Sequence, residues 1–377
     1  MLIGRALWAK VRPPRLNPRE LQEQLDITRA AVLTSCYSAT QQRHRQQQQQ
    51  QQQQQHDHED AQSSSYERLE KEIGAMKPMA RKRRAQTAIN DQVVKYFALV
   101  HAAQTATPPP VILNSGGSGS GSGGGGGPVD DVVNSSAVKE SGEGTTTTTT
   151  SASSPSSSSN TLHPGGVRER EAERSAEQKV IEAWRRKLLR EMLRSELGFN
   201  IVVKESGLAG AGGGLGLFVE GTAPEGAVVA IYPGYVHLPE NLRNQKYADA
   251  LLPDDEHFLM GRADGSLVDG RTAGLLPSSP LTFAHAANHP PRGEAANVLQ
   301  VAYDYPALSD DDVGIAKGGR FPKQLRPLIP NRYFRQPKAV FGGKLDQSAM
   351  VETVVLVACR GGLRDQEVRQ LCRTQQR

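Results

Sequence analysis

Residues 214–234 read GLGLFVEGTAPEGAVVAIYPG, and the reading of this stretch decides the fold class. Its apolar residues form two short blocks, Leu217 to Val219 and Val228 to Tyr232, rich in the β-branched and aromatic types that suit strands. Pro224-Glu225-Gly226 between them is a turn signal. Just upstream, Gly210-Ala-Gly212-Gly-Gly-Leu-Gly216 invites comparison with a dinucleotide-binding loop. Such a loop needs a helix immediately after it, whose N-terminus holds the pyrophosphate. Strand and turn follow here instead, and the chain has no GxxxxGK(S/T) phosphate loop. What remains is a turn whose missing side chains let backbone N–H groups approach a ligand, or a flexible hairpin loop.

The strand pattern continues outward from this stretch. Ile201 to Val203 precedes it; Phe258 to Met260, Leu267-Val268, Val298 to Tyr303 and Thr353 to Ala358 follow, with turns such as Asp264-Gly265 and Asp269-Gly270 between. Many short strands with irregular connections predict a mainly β domain over residues 198–377. Residues 292–297 and 310–334 are expected to be long loops.

Upstream of residue 198 the pattern is helical or absent. Val167 to Leu197, within a segment 166–197, is a charged amphipathic helix with Ile181, Trp184, Leu188 and Met192 on one face; it ends at Gly198. That face is expected to pack on the domain that follows. Residues 102–165 form a linker of Gly, Ser and Thr, including Ser115 to Gly127, and residues 36–62 carry ten consecutive glutamines, Gln46 to Gln55. Neither buries enough apolar surface to offset the entropy of ordering, so both are expected to be disordered. Residues 1–35 read as a basic arm with a short helix opening at Pro18, from Arg19 to Ala31. Residues 63–101 form a further helical segment, interrupted near Pro78, with Ile89, Val93, Tyr96, Phe97 and Val100 on its apolar face.

Composition agrees with one real core. Of 377 residues only 37% are hydrophobic and 5% aromatic, against 37 Gly and 23 Pro. The net charge of +5 belongs to the N-terminal half: residues 196–377 hold 19 Lys and Arg against 20 Asp and Glu, while residues 1–195 hold 26 against 20. Arg81-Lys-Arg-Arg84 reads as a nuclear-import signal, a phosphate contact or a solvated face. The acid-poor start, with Arg5, Lys10, Arg12 and Arg15, suits a mitochondrial presequence or a basic arm that contacts nucleic acid or chromatin. Localisation is read as nuclear or cytoplasmic, with the mitochondrion open. Cys36, Cys359 and Cys372 form no CxxC pair, so no metal is expected, and His44, His56 and His58 around the glutamines read as non-ligating. No apolar run approaches the roughly 20 residues of a membrane span, so no membrane partner is expected.

Five short motifs occur in a telling order: Gly214-Leu-Gly216-Leu-Phe218-Val, Pro224-Glu-Gly226 leading to Tyr232-Pro-Gly234, Leu267-Val-Asp269-Gly, Asn288-His289 with Ala296-Asn297-Val298, and Val354-Val-Leu-Val-Ala358. This order resembles the SET domain of protein lysine methyltransferases, over Leu197 to about Val368. The resemblance implies a mainly β fold with short helices, a β-clip with a pseudo-knot in which the C-terminal segment threads under the Asn288-His289 loop. It implies S-adenosylmethionine as cofactor and methyl transfer to a lysine ε-amine presented by a protein substrate. Gly214, Leu215 and Gly216 would contact the methionine part of the cofactor. The Asn288 amide would bond its amino or carboxylate end, and the His289 backbone would face the adenine. Tyr232 is a candidate wall of the lysine channel or plain core, with Tyr303 and Tyr305 as weaker candidates; His257 and His285 read as structural.

The likeness breaks at the end. Asp365-Gln-Glu367-Val368 fits the family's acidic turn, but the tyrosine that should follow is absent, since no Tyr occurs after Tyr333. Pro290-Pro291 also replaces the usual Ser-Cys after the Asn-His pair. Two explanations stand: an altered coding end, or a catalytically inactive SET-like interaction module. Either way, this chain is expected to bind S-adenosylmethionine weakly or not at all and to transfer no methyl group.

Overall fold

The structure is a computed structural model that describes residues 18–50, 60–109, 165–208, 214–244, 247–248, 251, 258–271, 279–306, 308–309, 321–333 and 349–370. The basic start, the glutamines beyond Gln50, His56, His58, His257 and Cys372 lie outside them. By internal contacts, residues 107–182 cluster separately from a unit made of 1–106 and 183–377. The account below concerns the latter.

Three helices open the described residues: α1 (Pro18–Gln50), α2 (Asp60–Gly74) and α3 (Pro78–Thr105). After the linker, α4 (Gly165–Leu197) leads into β1 (Phe199–Glu205). The β region then has β2 (Leu215–Ala223), β3 (Val228–Ile231), β4 (Gly234–His237), β5 (Leu259–Gly261), β6 (Leu267–Asp269), β7 (Val298–Pro306), β8 (Leu308–Ser309), β9 (Phe321–Pro322), β10 (Asn331–Tyr333), β11 (Ala349–Ala358) and β12 (Leu363–Arg364). They form small sheets ordered β1-β2-β12, β10-β4-β6-β5 and β3-β11-β7, with β8-β9 apart. This mainly β region, preceded by helices, is consistent with the SET-like fold that the resemblance implies.

The β3-β11-β7 sheet is the centre of the core. Every residue of β11 from Val354 to Ala358 is buried, because strands covered on both faces read as continuous apolar runs. Its two edge strands would leave backbone groups unpaired, and α3 supplies the partners. Gln86 donates from Nε2 to Ala302 O (2.6 Å) and accepts at Oε1 from Asp304 N–H, on β7. Gln92 donates to Gly226 O and accepts from Val228 N–H at the opposite edge. The six-residue separation corresponds to about 9 Å of helix rise, close to the roughly 9.5 Å between the outer strands of a three-stranded sheet. Helix α3 therefore lies across the sheet with one glutamine at each edge. Its apolar stripe, Ile89, Val93, Tyr96, Phe97 and Val100, is buried as the periodicity predicts.

Several expectations change. Helix α1 does not stop near Ala31 but continues through the first glutamines to Gln50, so the boundary drawn at residue 35 falls inside a helix. Ala30, Ala31, Leu33 and Tyr37 are buried and hold it on the core; once a helix is nucleated, glutamine propagates it well. On α4 the buried residues are Leu189 and Leu193, whereas Ile181, Trp184 and Leu188 are only half-buried. The phase is set at the docked end, where Gly198 (φ +88°) turns the chain so that Leu193 and Phe199 enter the same core. The expected loop at 310–334 contains β9, a 3₁₀ turn (Lys323–Leu328) and β10. Phe321 anchors it, 5.5 Å from the Tyr305 ring and 6.1 Å from Phe97. Within the basic cluster, Arg81 donates to Thr28 Oγ1 and Arg84 to Ser35 Oγ and Glu72. Two of its four cations thus join helix to helix.

Residues 366–370 are inserted between β2 and the Asn288–Asn297 segment. On one side Val368 N–H donates to Leu217 O and Val219 N–H to Gln366 O. On the other, Gln370 N–H donates to Asn288 O and Asn297 N–H to Arg369 O. Asn297 completes the seam, its Nδ2 donating to Glu367 O and its Oδ1 accepting from Arg369 N–H.

Candidate cofactor site

The inserted segment brings three distant pieces of sequence together. The hairpin from β1 to β2 closes through Ser206 N–H donating to Gly214 O, and β2 follows the glycines directly, with no helix. Glu367, only 6% exposed, points its carboxylate at the start of β2. Its Oε1 accepts from Ser206 Oγ at 2.8 Å and from Asn288 Nδ2 at 2.8 Å. Asn288 Nδ2 also donates to Leu215 O at 3.2 Å. The approach explains Gly216: a Cβ there would stand 2.3 Å from Glu367 Oε1 and 3.1 Å from Asn288 Nδ2.

This network fixes the Asn288 amide. Both protons of Nδ2 are directed to acceptors, so the orientation of the amide follows from the bonds it makes. Its Oδ1 makes no hydrogen bond with the described residues. Leu215, 51% exposed, and Gly214 lie open beside it, and His289 is exposed, with Nδ1 3.3 Å from Pro290 O. An open acceptor next to accessible glycine backbone suits the ammonium and carboxylate ends of an amino-acid-like cofactor, so the residues present fit the group that the resemblance implies.

The tyrosines stand elsewhere. Tyr232 is 1% exposed. Its N–H donates to Val354 O, and its carbonyl accepts from Asn331 Nδ2 and Thr353 Oγ1. Its ring meets His285 edge-on at 6.3 Å, with Phe258 and Phe283 also around that imidazole. Burial lowers the His285 pKa, and its Nδ1 finds no hydrogen-bond partner among the described residues. Tyr303 and Tyr305 are fully buried, their rings 4.9 Å apart, and burial raises both pKa values well above the ordinary phenol range. The Tyr303 hydroxyl donates to Asn90 of α3. These two are core residues under α3.

Sequence reasoning had not placed Glu367 or Ser206 in the site. The only available signal for Glu367 was its position in the acidic turn; Ser206 carried none. Nearby, a second polar cluster braces the sheets: Arg262, 4% exposed, donates to the carboxylates of Asp264 and Asp304 and to the carbonyls of Tyr303 and Thr353. A buried guanidinium needs this many acceptors to offset its lost hydration.

Small sheets, a glycine hairpin laid against an Asn-His segment, and residues 366–370 inserted between them are the arrangement that the SET resemblance implies. Among known proteins, the chain is similar to SET domain-containing protein 9 of Homo sapiens, 27% identical over 198 residues that cover 45% of this chain and 56% of that one. The protein of the same description from Pongo abelii is 27% identical over 198 residues, covering 62% of its length. The chain thus spans about six-tenths of these relatives. No family model matches it. These likenesses support a relationship to the SET-domain family.

Proposed function

We propose that this chain carries an S-adenosylmethionine site of the SET type and that its reaction, in a catalytically competent form, is methyl transfer to a protein lysine, with SET domain-containing protein 9 as a functional model. The observation that carries the reading is the meeting of Gly214–Gly216, Asn288 and Glu367, drawn from segments more than 70 residues apart in sequence. When bound, the cofactor supplies an electrophilic methyl on a sulfonium. The chain's own contribution is positioning. Gly214 and Gly216 admit close backbone approach, Asn288 Oδ1 accepts from an ammonium, and Glu367 with Leu215 O holds that amide in its orientation. A lysine amine is neutral only about once in 10³ to 10⁴ at pH 7. An apolar channel that admits the amine would favour its neutral form by desolvation.

A second reading, a non-catalytic SET-like interaction module, is favoured by one set of observations. Tyr232, Tyr303 and Tyr305 are all committed to the core. The two readings separate in one experiment: calorimetric titration with S-adenosylmethionine, and a labelled-methyl assay on lysine peptides. Saturable binding with label transfer establishes the enzyme, and binding without transfer establishes the module. Absence of binding at millimolar cofactor removes the cofactor reading altogether.

A further inference from the structure

A cavity of about 400 Å³ opens between the N-terminal helices and the β core, and its lining shares no residue with the Gly216, Asn288 and Glu367 cluster. Its volume lies within the roughly 300–1,000 Å³ typical of small-molecule sites. The floor is apolar: Phe199 of β1, Val228 and Ile231 of β3, and Leu281. Tyr37 of α1 and Tyr96 of α3, both largely buried, add aromatic walls.

The polar groups of the cavity divide sharply. Gln92 spends both ends of its amide on the β3 edge, and the Tyr96 hydroxyl accepts from Leu281 N–H and meets Ser279 Oγ. Lys95, also on the lining, is paired with Glu196 at 3.1 Å and donates to its carbonyl. Asp91 alone among the charged lining groups makes no hydrogen bond or ion pair with the described residues. It stands at the exposed mouth of the cavity, one helical turn before Lys95. Partial burial raises its pKa, which is the mark of a carboxylate with no cation to offset its lost hydration.

We infer that this cavity is a binding site for an amphipathic organic amine, with the ammonium at Asp91 in the mouth and an aromatic or branched apolar body against Tyr37, Tyr96, Phe199 and Ile231. The charge fixes the sense of binding. The only cation among the described lining residues is already neutralised by Glu196, so an anionic ligand would meet Asp91 with no compensating partner. An ammonium would instead gain a charge-assisted bond while its body covers apolar and aromatic surface. The site is independent of the cofactor reading, since none of its residues takes part there.

The probes are 4-phenylbutylamine, the neutral 4-phenylbutanol and the anionic 4-phenylbutyrate, titrated into the full chain by ligand-observed NMR. Ligands of this size are expected to bind with dissociation constants on the order of 0.1–1 mM. The amine should bind at least about 5-fold more tightly than the alcohol, and the butyrate more weakly than either. Asp91→Asn should bring amine and alcohol to within about 2-fold of each other without changing the circular dichroism spectrum. Ser38→Phe, at the exposed mouth, should weaken all three. Equal affinity of amine and alcohol in the unsubstituted chain, tighter binding of the butyrate, or no saturable binding of the amine below about 5 mM would overturn the assignment, whatever the variants do.

Discussion

Gly216→Ala is the sharpest test of how the candidate site is held. Nothing in the local backbone forbids the substitution, since Gly216 is not among the glycines of positive φ. The added methyl would stand 2.3 Å from Glu367 Oε1, nearer than any real contact, so the carboxylate must move. It is 6% exposed and accepts from Ser206 and Asn288. A hydrogen bond to a charged group contributes about 1.5–3 kcal/mol, and an off-rotamer side chain costs about 0.5–1.5 kcal/mol. Losing one bond and straining the other gives an expected destabilisation of about 2–4 kcal/mol by equilibrium urea unfolding. The double-mutant cycle makes the reasoning specific. With Glu367→Ala already in place the obstruction is gone, and Gly216→Ala should then cost less than about 1 kcal/mol, a coupling of about 2 kcal/mol. Additivity of the two substitutions to within about 0.5 kcal/mol, or an unchanged midpoint for Gly216→Ala alone, would refute the proposed packing of glycine turn against acidic turn.

Other substitutions probe the frame around it. Tyr303→Phe removes the donor to buried Asn90 and should cost about 1–3 kcal/mol in urea unfolding, whereas Tyr305→Phe, whose hydroxyl has no partner among the described residues, should be neutral or slightly stabilising. Gly226→Ala would place a methyl 1.9 Å from Leu33 O at a φ of +79°; α1 should lose its seat there, and limited proteolysis should cut within residues 18–50 at a far lower protease dose. Asp269 gives a pH signature. Burial alone would raise its pKa, but the His237 ring nitrogen 3.8 Å away and the hydrogen bonds from Arg271 hold it well below the usual carboxylate range. An unfolded Asp titrates near pH 3.9, so this stability is present above about pH 4 and is lost as pH falls toward the folded value. Asp269→Asn should therefore be less stable than the parent at pH 7, with the difference in urea midpoint shrinking below about pH 4; a pH-independent difference would contradict the assignment.

Much of the fold was legible because it rests on short-range signals. The alternation in Leu217 to Val219, the block Val228 to Tyr232 and the run Val354 to Ala358 each became a strand, β2, β3 and β11, since side-chain period and apolar type are properties of a few neighbours. Gly198 ended α4 where its freedom at positive φ predicted. The stripe on α3 was equally readable, from Ile89 to Val100. In the site, the glycine turn and Asn288 could be picked out by motif order, but their neighbour Glu367 could not be ranked as a site residue. Nothing local distinguishes a carboxylate that will turn inward from one that stays in water.

The sequence by itself therefore determined where strands and helices lie, which faces are apolar and which short motifs stand in SET order. Only the tertiary structure decided that Gln86 and Gln92 would close the two edges of the central sheet, that α1 would run on into the glutamines, and that Tyr303 and Tyr305 would serve as core. It alone placed residues 366–370 between β2 and the Asn288 segment. The physical reason is long-range contact, through burial for α1 and the two tyrosines and through hydrogen bonding for the glutamines and residues 366–370. Backbone periodicity is encoded within a turn or two of chain, whereas the pairing of an amide, a hydroxyl or a carboxylate depends on which distant donor the folded core brings within about 3 Å of it.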